Sequence, residues 1–214
     1  MRRALFAVAA LMVAASALAA QRVAIGPQFA FGEYREITST QRYVATGFGG
    51  TLTLAWKKLG ADVSFAGLSY EPYDDGLGQQ SFKATQLDAH LRYRVWRGAS
   101  LEAGFVSRTS DNEFAAQSVG SIRLGAHAAV PLGPDAGAMV RYNVLVGSKF
   151  SGGGTAGLGM DVGLGVFYGL AKGRVRLTGD YEFERINRTV DPGTGDIDAP
   201  IQQILGKVGL AVTF

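Results

Sequence analysis

The chain has 214 residues, no cysteine, 30 glycines and a formal net charge of +3, with 47% hydrophobic and 18% charged residues. The missing cysteine excludes a disulfide scaffold, a thiolate metal site and a cysteine nucleophile, and so few charges among so many apolar residues exclude a disordered chain. The length suits one domain with at most a short appendage, and glycine at about twice its usual ~7% demands an architectural reason.

At the start, Arg2 and Arg3 form a positive n-region, residues 4–18 are an unbroken small and apolar run, and Ala17-Leu18-Ala19 is an A-x-A cleavage site. The pattern is that of a signal peptide over 1–19, leaving 20–214 as the folded domain, since the apolar run is shorter than the ~20 residues of a spanning helix. Without Arg2 and Arg3, the 21 basic residues become 19 against 18 acidic ones. The folded part is thus nearly neutral, and nothing in its charge points to a nucleic-acid partner.

Beyond the leader the period is two. Val44, Thr46, Phe48, Leu52, Leu54 and Trp56 alternate with Ala45, Gly47, Gly49, Thr51 and Thr53, which gives a strand one apolar face and one small or polar face. The same alternation runs through Leu87, Ala89, Leu91 and Tyr93 against Asp88, His90, Arg92 and Arg94. It recurs in Ile122 to Val130, Leu158 to Tyr168 and Val175 to Phe183. Ten such segments are predicted, at 22–33, 43–57, 60–72, 83–96, 99–110, 117–131, 137–148, 157–168, 173–187 and 200–214. Their connections alternate between tight turns and longer polar loops, as in an antiparallel up-and-down meander. A count of eight follows if the breaks near Phe29 to Tyr34 or near 152–159 are not strand boundaries.

Alternation alone does not say which face points inward. Three features favour a membrane barrel with its polar face inside. Gly157, Gly159, Gly163 and Gly165 give the polar face of one strand small side chains suited to a narrow lumen. Aromatic residues gather toward segment ends, with Trp56, Tyr93, Tyr168 and Phe214 at one end and Phe31, Tyr43, Tyr70, Phe105, Tyr181 and Phe183 at the other, as two interfacial girdles. The segments are also long enough for the ~9–11 residues of a tilted transmembrane strand.

With its leader, its ten alternating segments and the ending Val208, Leu210, Val212, Phe214, the chain resembles the small outer-membrane β-barrels of Gram-negative-type bacteria, the broad OmpA/OmpX-like group. The resemblance implies a closed all-β barrel in the cell outer membrane, with short turns and termini on the periplasmic side. It further implies contact with lipid and lipopolysaccharide, and a terminal Phe214 read by the barrel assembly machinery. A monomer is expected.

With the polar face inside, the lumen is lined by Asp88, His90, Arg92, Arg94, Arg123, Arg141, Asp161, Arg176, Asp180 and Glu182, joined by Asp62, Glu102, Arg108, His127, Glu184 and Lys207. Mixed signs at similar depth read as a paired network plugging a narrow lumen. The alternative is a narrow porin-like channel with a charged constriction. Asp88 and His90 share a face as an acid and a base could, but no serine lies two residues from either histidine. No catalytic residue, metal ligand or cofactor is therefore assigned, and a lipid- or peptide-cleaving barrel is the weakest reading. The G-x-G-x-x-G string from Gly152 to Gly157 leads into a strand and not a helix, which rejects a dinucleotide site. Asp191, Asp196 and Asp198 in one loop, and Glu71, Asp74 and Asp75 in another, read as solvated hairpin tips.

Overall fold

A computed structural model of the chain describes residues 22–39, 41–74, 79–191 and 193–214. The leader over 1–19 and Asp75 lie outside the described residues. The strands are β1 (Arg22–Glu36), β2 (Arg42–Trp56), β3 (Leu59–Pro72), β4 (Phe82–Trp96), β5 (Ala99–Ser110), β6 (Val119–Pro131), β7 (Ala136–Phe150), β8 (Thr155–Leu170), β9 (Val175–Val190), a two-residue β10 (Ile197–Asp198) and β11 (Ile201–Thr213). Each long strand pairs antiparallel with its sequence neighbour, and β11 pairs with both β9 and β1, so ten strands close into a ring. The eight-strand alternative is set aside, because both doubtful breaks lie inside or between genuine strands. β1 runs on to Glu36, beyond the expected end at 33, since residues 34–36 continue pairing with β2 and β11.

The register fixes the size of the cylinder. A path along paired positions from Ala24 passes through Thr53, Asp62, His90, Gly104, Arg123, Leu145, Gly159, Ile186 and Ile201 and returns to β1 at Glu36, twelve residues further on. A shear of that size tilts the strands by about 40° and gives a backbone radius of about 10 Å. Paired residues share a face, so every residue on this path points inward. Closure also gives each of the ten long strands two partners, the condition for placing backbone in lipid without unsatisfied groups.

The faces are inverted relative to a soluble barrel. Phe48, Leu91, Leu101, Leu164 and Val166 are exposed on the outside, whereas Asp88, Arg123, Asp161, Glu182 and Glu184 are buried inside. Trp56, Tyr93, Tyr168 and Phe214 lie exposed near the short-turn end, as a girdle requires, and Phe31, Phe105 and Tyr181 face outward on the other half. Tyr43 and Tyr70 do not belong to that second girdle. They share the inward parity of Ala45 and Leu68 and are buried within the barrel.

Glycine has two uses here. At Gly163 an added Cβ would lie 3.1 Å from Arg141 Nε, and at Gly104 it would lie 2.4 Å from the Ala89 carbonyl oxygen, so these inward glycines let neighbouring side chains and strands lie close. Gly157 is different from its predicted role. The register slips between Ala156 and Gly159, and this bulge turns Gly157 toward Asn187 on the outward side. At the tight turns, Gly98 takes the left-handed backbone (φ +82°) that a short hairpin needs.

Candidate functional site in the barrel lumen

The lumen is organised in layers. At the long-loop end, Tyr34, Tyr43, Tyr70 and Phe82 project inward from four adjacent strands, and the 3-10 turn Asn112–Gln117 adds Phe114. Phe82 is sandwiched: its ring stacks on Tyr70 at 4.5 Å and on Phe114 at 4.3 Å, while Tyr43 meets it edge-on at 5.1 Å. Small and aliphatic neighbours, among them Ala30, Ala45, Leu68, Leu145, Ile186 and Leu205, complete a dry core at this end.

Below the aromatic layer a polar belt makes the transition to charge. Gln203 on β11 donates to Tyr70 Oη at 2.9 Å and to Gln86 Oε1 at 3.0 Å, and its own carbonyl oxygen accepts from Arg108 at 2.9 Å. The Arg108 guanidinium also lies over the Tyr34 ring at 4.5 Å.

The next layer is built around Arg123. Its side chain has no solvent exposure and meets three carboxylates from three other strands: Asp88 at 2.5 Å, Glu182 at 2.8 Å and Asp161 at 3.0 Å. Arg141 contacts Glu182 at 3.1 Å and Asp161 at 3.4 Å, and Lys207 donates to Glu182 at 2.7 Å. Three cations thus balance three anions. Asn143, buried beside them, donates to Asp161 at 2.9 Å. Ions this far from water are tolerable only when matched, and the charges are matched from opposite walls of the barrel, although Arg123 Nε, Arg141 Nε and Asp161 Oδ1 are buried without a hydrogen-bond partner.

Toward the short turns the lumen opens into a cavity of about 400 Å³. Here His90 is held between acids, with Nδ1 3.3 Å from Asp88 and Nε2 3.5 Å from Asp62 and 3.7 Å from Glu102. His127 Nδ1 lies 3.4 Å from the same Glu102, and Arg92 pairs with Asp62 at 2.5 Å. Ser64 stands opposite Asp88 in register, yet both nitrogens of His90 face carboxylates and leave no ring atom directed at that hydroxyl. Among the described residues no group of three or more histidines and acids could hold a metal ion.

The structure therefore brings Asp88, Arg123, Arg141, Asp161 and Glu182 into one cluster, and places His90, Arg92, Arg176 and Asp180 around the cavity beneath it. Arg94 departs from the expected lining. It sits exposed at the short-turn rim, where its guanidinium donates to the Lys57 carbonyl oxygen at 2.8 Å, because two residues past Arg92 the strand has left the enclosed lumen. The aromatic layer was not anticipated. Parity alone would have turned Tyr43 and Tyr70 inward, but Phe114 lies in a non-periodic segment and carries no such signal. Acids in the longest loop brace their own hairpin: Asp191 accepts from the backbone of Gly193 at 2.8 Å and of Gly195 at 3.3 Å.

No family model matches the chain, and no curated protein matches it in sequence. Among solved structures it is similar to the outer membrane protease OmpT from Escherichia coli, at 10% identity and a TM-score of 0.48 over 91% of this chain and 97% of that one. The β domain of the Bordetella autotransporter BrkA gives 15% identity and 0.48 over 91% and 100%. Ail of Yersinia pestis gives 14% identity and 0.38 over 90% and 98%. With ten antiparallel strands closed at a shear of twelve, charges inside and an apolar band outside, the chain has the fold of a membrane-spanning β-barrel.

Proposed function

We propose that this protein is a closed scaffold in the outer membrane, which holds its five longer loops at the cell surface and does not conduct solutes. The carrying observation is the filled cross-section. Arg123 with its three carboxylates occupies the middle of the lumen, and the Tyr70–Phe82–Phe114 stack seals the long-loop end. A barrel of this strand number leaves little interior beyond its own side chains. On this reading the loops meet lipopolysaccharide or surface ligands, and the lumen network serves stability.

The same arrangement supports a non-catalytic role, since His90 is engaged by carboxylates on both nitrogens. Phe214 is assigned to assembly. Its backbone pairs reciprocally with Val23 at 2.8 and 3.3 Å, at the seam where the last strand meets the first, and its ring is exposed to the outside.

Solute flux tests the proposal. Vesicles carrying the refolded barrel should admit glycine and arabinose no faster than empty vesicles. Uptake that scales with protein content would replace the scaffold by a narrow channel, and the cavity at the short-turn end would then be its vestibule.

A further inference from the structure

The cavity of about 400 Å³ at the short-turn end has no task in a closed scaffold, and its charges are not fully matched. Glu102 on β5 is the clearest case. Its side chain is only 2% exposed, its ion-pair partners among the described residues are the imidazoles of His90 and His127, and Oε2 is buried without a hydrogen-bond partner. A buried carboxylate in that condition is costly unless a donor reaches it.

The opposite sign waits at the mouth. Arg176 on β9 lines the same cavity four strands away, and its guanidinium lies over the Phe167 ring at 4.6 Å without a carboxylate partner among the described residues. Arg92, also in the lining, is already engaged by Asp62. A simple cation at Glu102 leaves Arg176 without a partner, and a simple anion at Arg176 leaves Glu102 orphaned. The described residues form no metal site that would resolve the mismatch.

We propose that this vestibule binds a small zwitterion, with its ammonium at Glu102 and its carboxylate at Arg176. An ammonium is a pure donor suited to the Glu102 carboxylate, and the guanidinium fork donates two parallel hydrogen bonds to a carboxylate. Between the two charged ends, Ala129, Met139, Phe167 and Ala211 offer apolar wall for a short aliphatic spacer. The ligand class is an ω-amino acid or a molecule of dipeptide size, entering from the compartment that the short turns face. This assignment does not depend on whether the lumen conducts.

Isothermal titration calorimetry on the refolded, detergent-solubilised barrel tests it, with 4-aminobutanoate, butylammonium and butanoate as probes. The wild type should bind 4-aminobutanoate at least about tenfold more tightly than either half-molecule, a difference of about 1.4 kcal/mol. Glu102→Gln should abolish the preference over butanoate, and Arg176→Gln the preference over butylammonium. Heat-modifiable mobility on a denaturing gel reports whether each variant is folded, and the three-probe comparison on the wild type stands even if a variant is not. The proposal is overturned if the wild type binds no 4-aminobutanoate at millimolar concentration, if it binds all three probes alike, or if both folded variants retain the wild-type preference.

Discussion

Arg123 Nη1 lies 2.5 Å from Asp88 Oδ2 in the centre of the barrel, with Arg123 wholly removed from solvent. The contact joins β6 to β4, and the same guanidinium reaches β8 and β9 through Asp161 and Glu182, so one side chain ties four strands across the lumen. Arg123→Ala removes the shared partner of three buried carboxylates. The expected loss is about 3–5 kcal/mol, measured by urea unfolding in lipid vesicles. A loss below about 1 kcal/mol would show that water already screens the cluster.

The aromatic layer predicts a second, separable effect. Phe82→Ala removes the ring held between Tyr70 and Phe114 and opens a cavity in a dry region, with an expected cost of about 3–5 kcal/mol. Near-UV circular dichroism should lose intensity from the packed tyrosines while the far-UV strand signal persists. An unchanged near-UV spectrum would mean that the stack is not fixed in the membrane.

Two glycines offer a matched pair. A Cβ on Gly104 would meet the Ala89 carbonyl oxygen at 2.4 Å, a backbone atom that cannot swing away, whereas a Cβ on Gly120 meets nothing within 4 Å. Gly104→Ala should lower the yield of heat-modifiable, folded barrel, while Gly120→Ala should change stability by no more than about 0.5 kcal/mol. Equal behaviour of the two variants would remove close strand approach as the reason for the inward glycines.

Polarity inversion is tested on the outer wall. Leu91 is 64% exposed on the outside of β4, next in sequence to the inward His90 and Arg92. In lipid, Leu91→Arg, two residues inside the Tyr93 girdle, should cost about 1–2 kcal/mol, between the interfacial and midplane penalties of a charge on the lipid face. A soluble barrel would accept the same change on its surface at almost no cost, so a neutral result in vesicles would contradict the membrane assignment.

Much of this was legible in the sequence because a strand's period is local. Alternation puts Asp88, His90, Arg92, Arg123, Asp161 and Glu182 on the polar face, the glycines and aromatic girdles turn that face inward, and the ends of the ten long strands lie within three residues of their expected places. Partnership was not legible. That Arg123 would meet Asp88, Asp161 and Glu182 depends on the shear of the closed ring, which no single strand encodes. Tyr43 and Tyr70 follow their parity into the barrel although they stand near segment ends, and Arg94 keeps inward parity past the point where the lumen ends.

Closure of the lumen is the claim on which the functional account rests, and planar-bilayer recording tests it most directly. The wild-type barrel should show no steady current at either polarity. A stable open current that changes on Arg123→Ala would place the conducting path through the central cluster and contradict the closed scaffold.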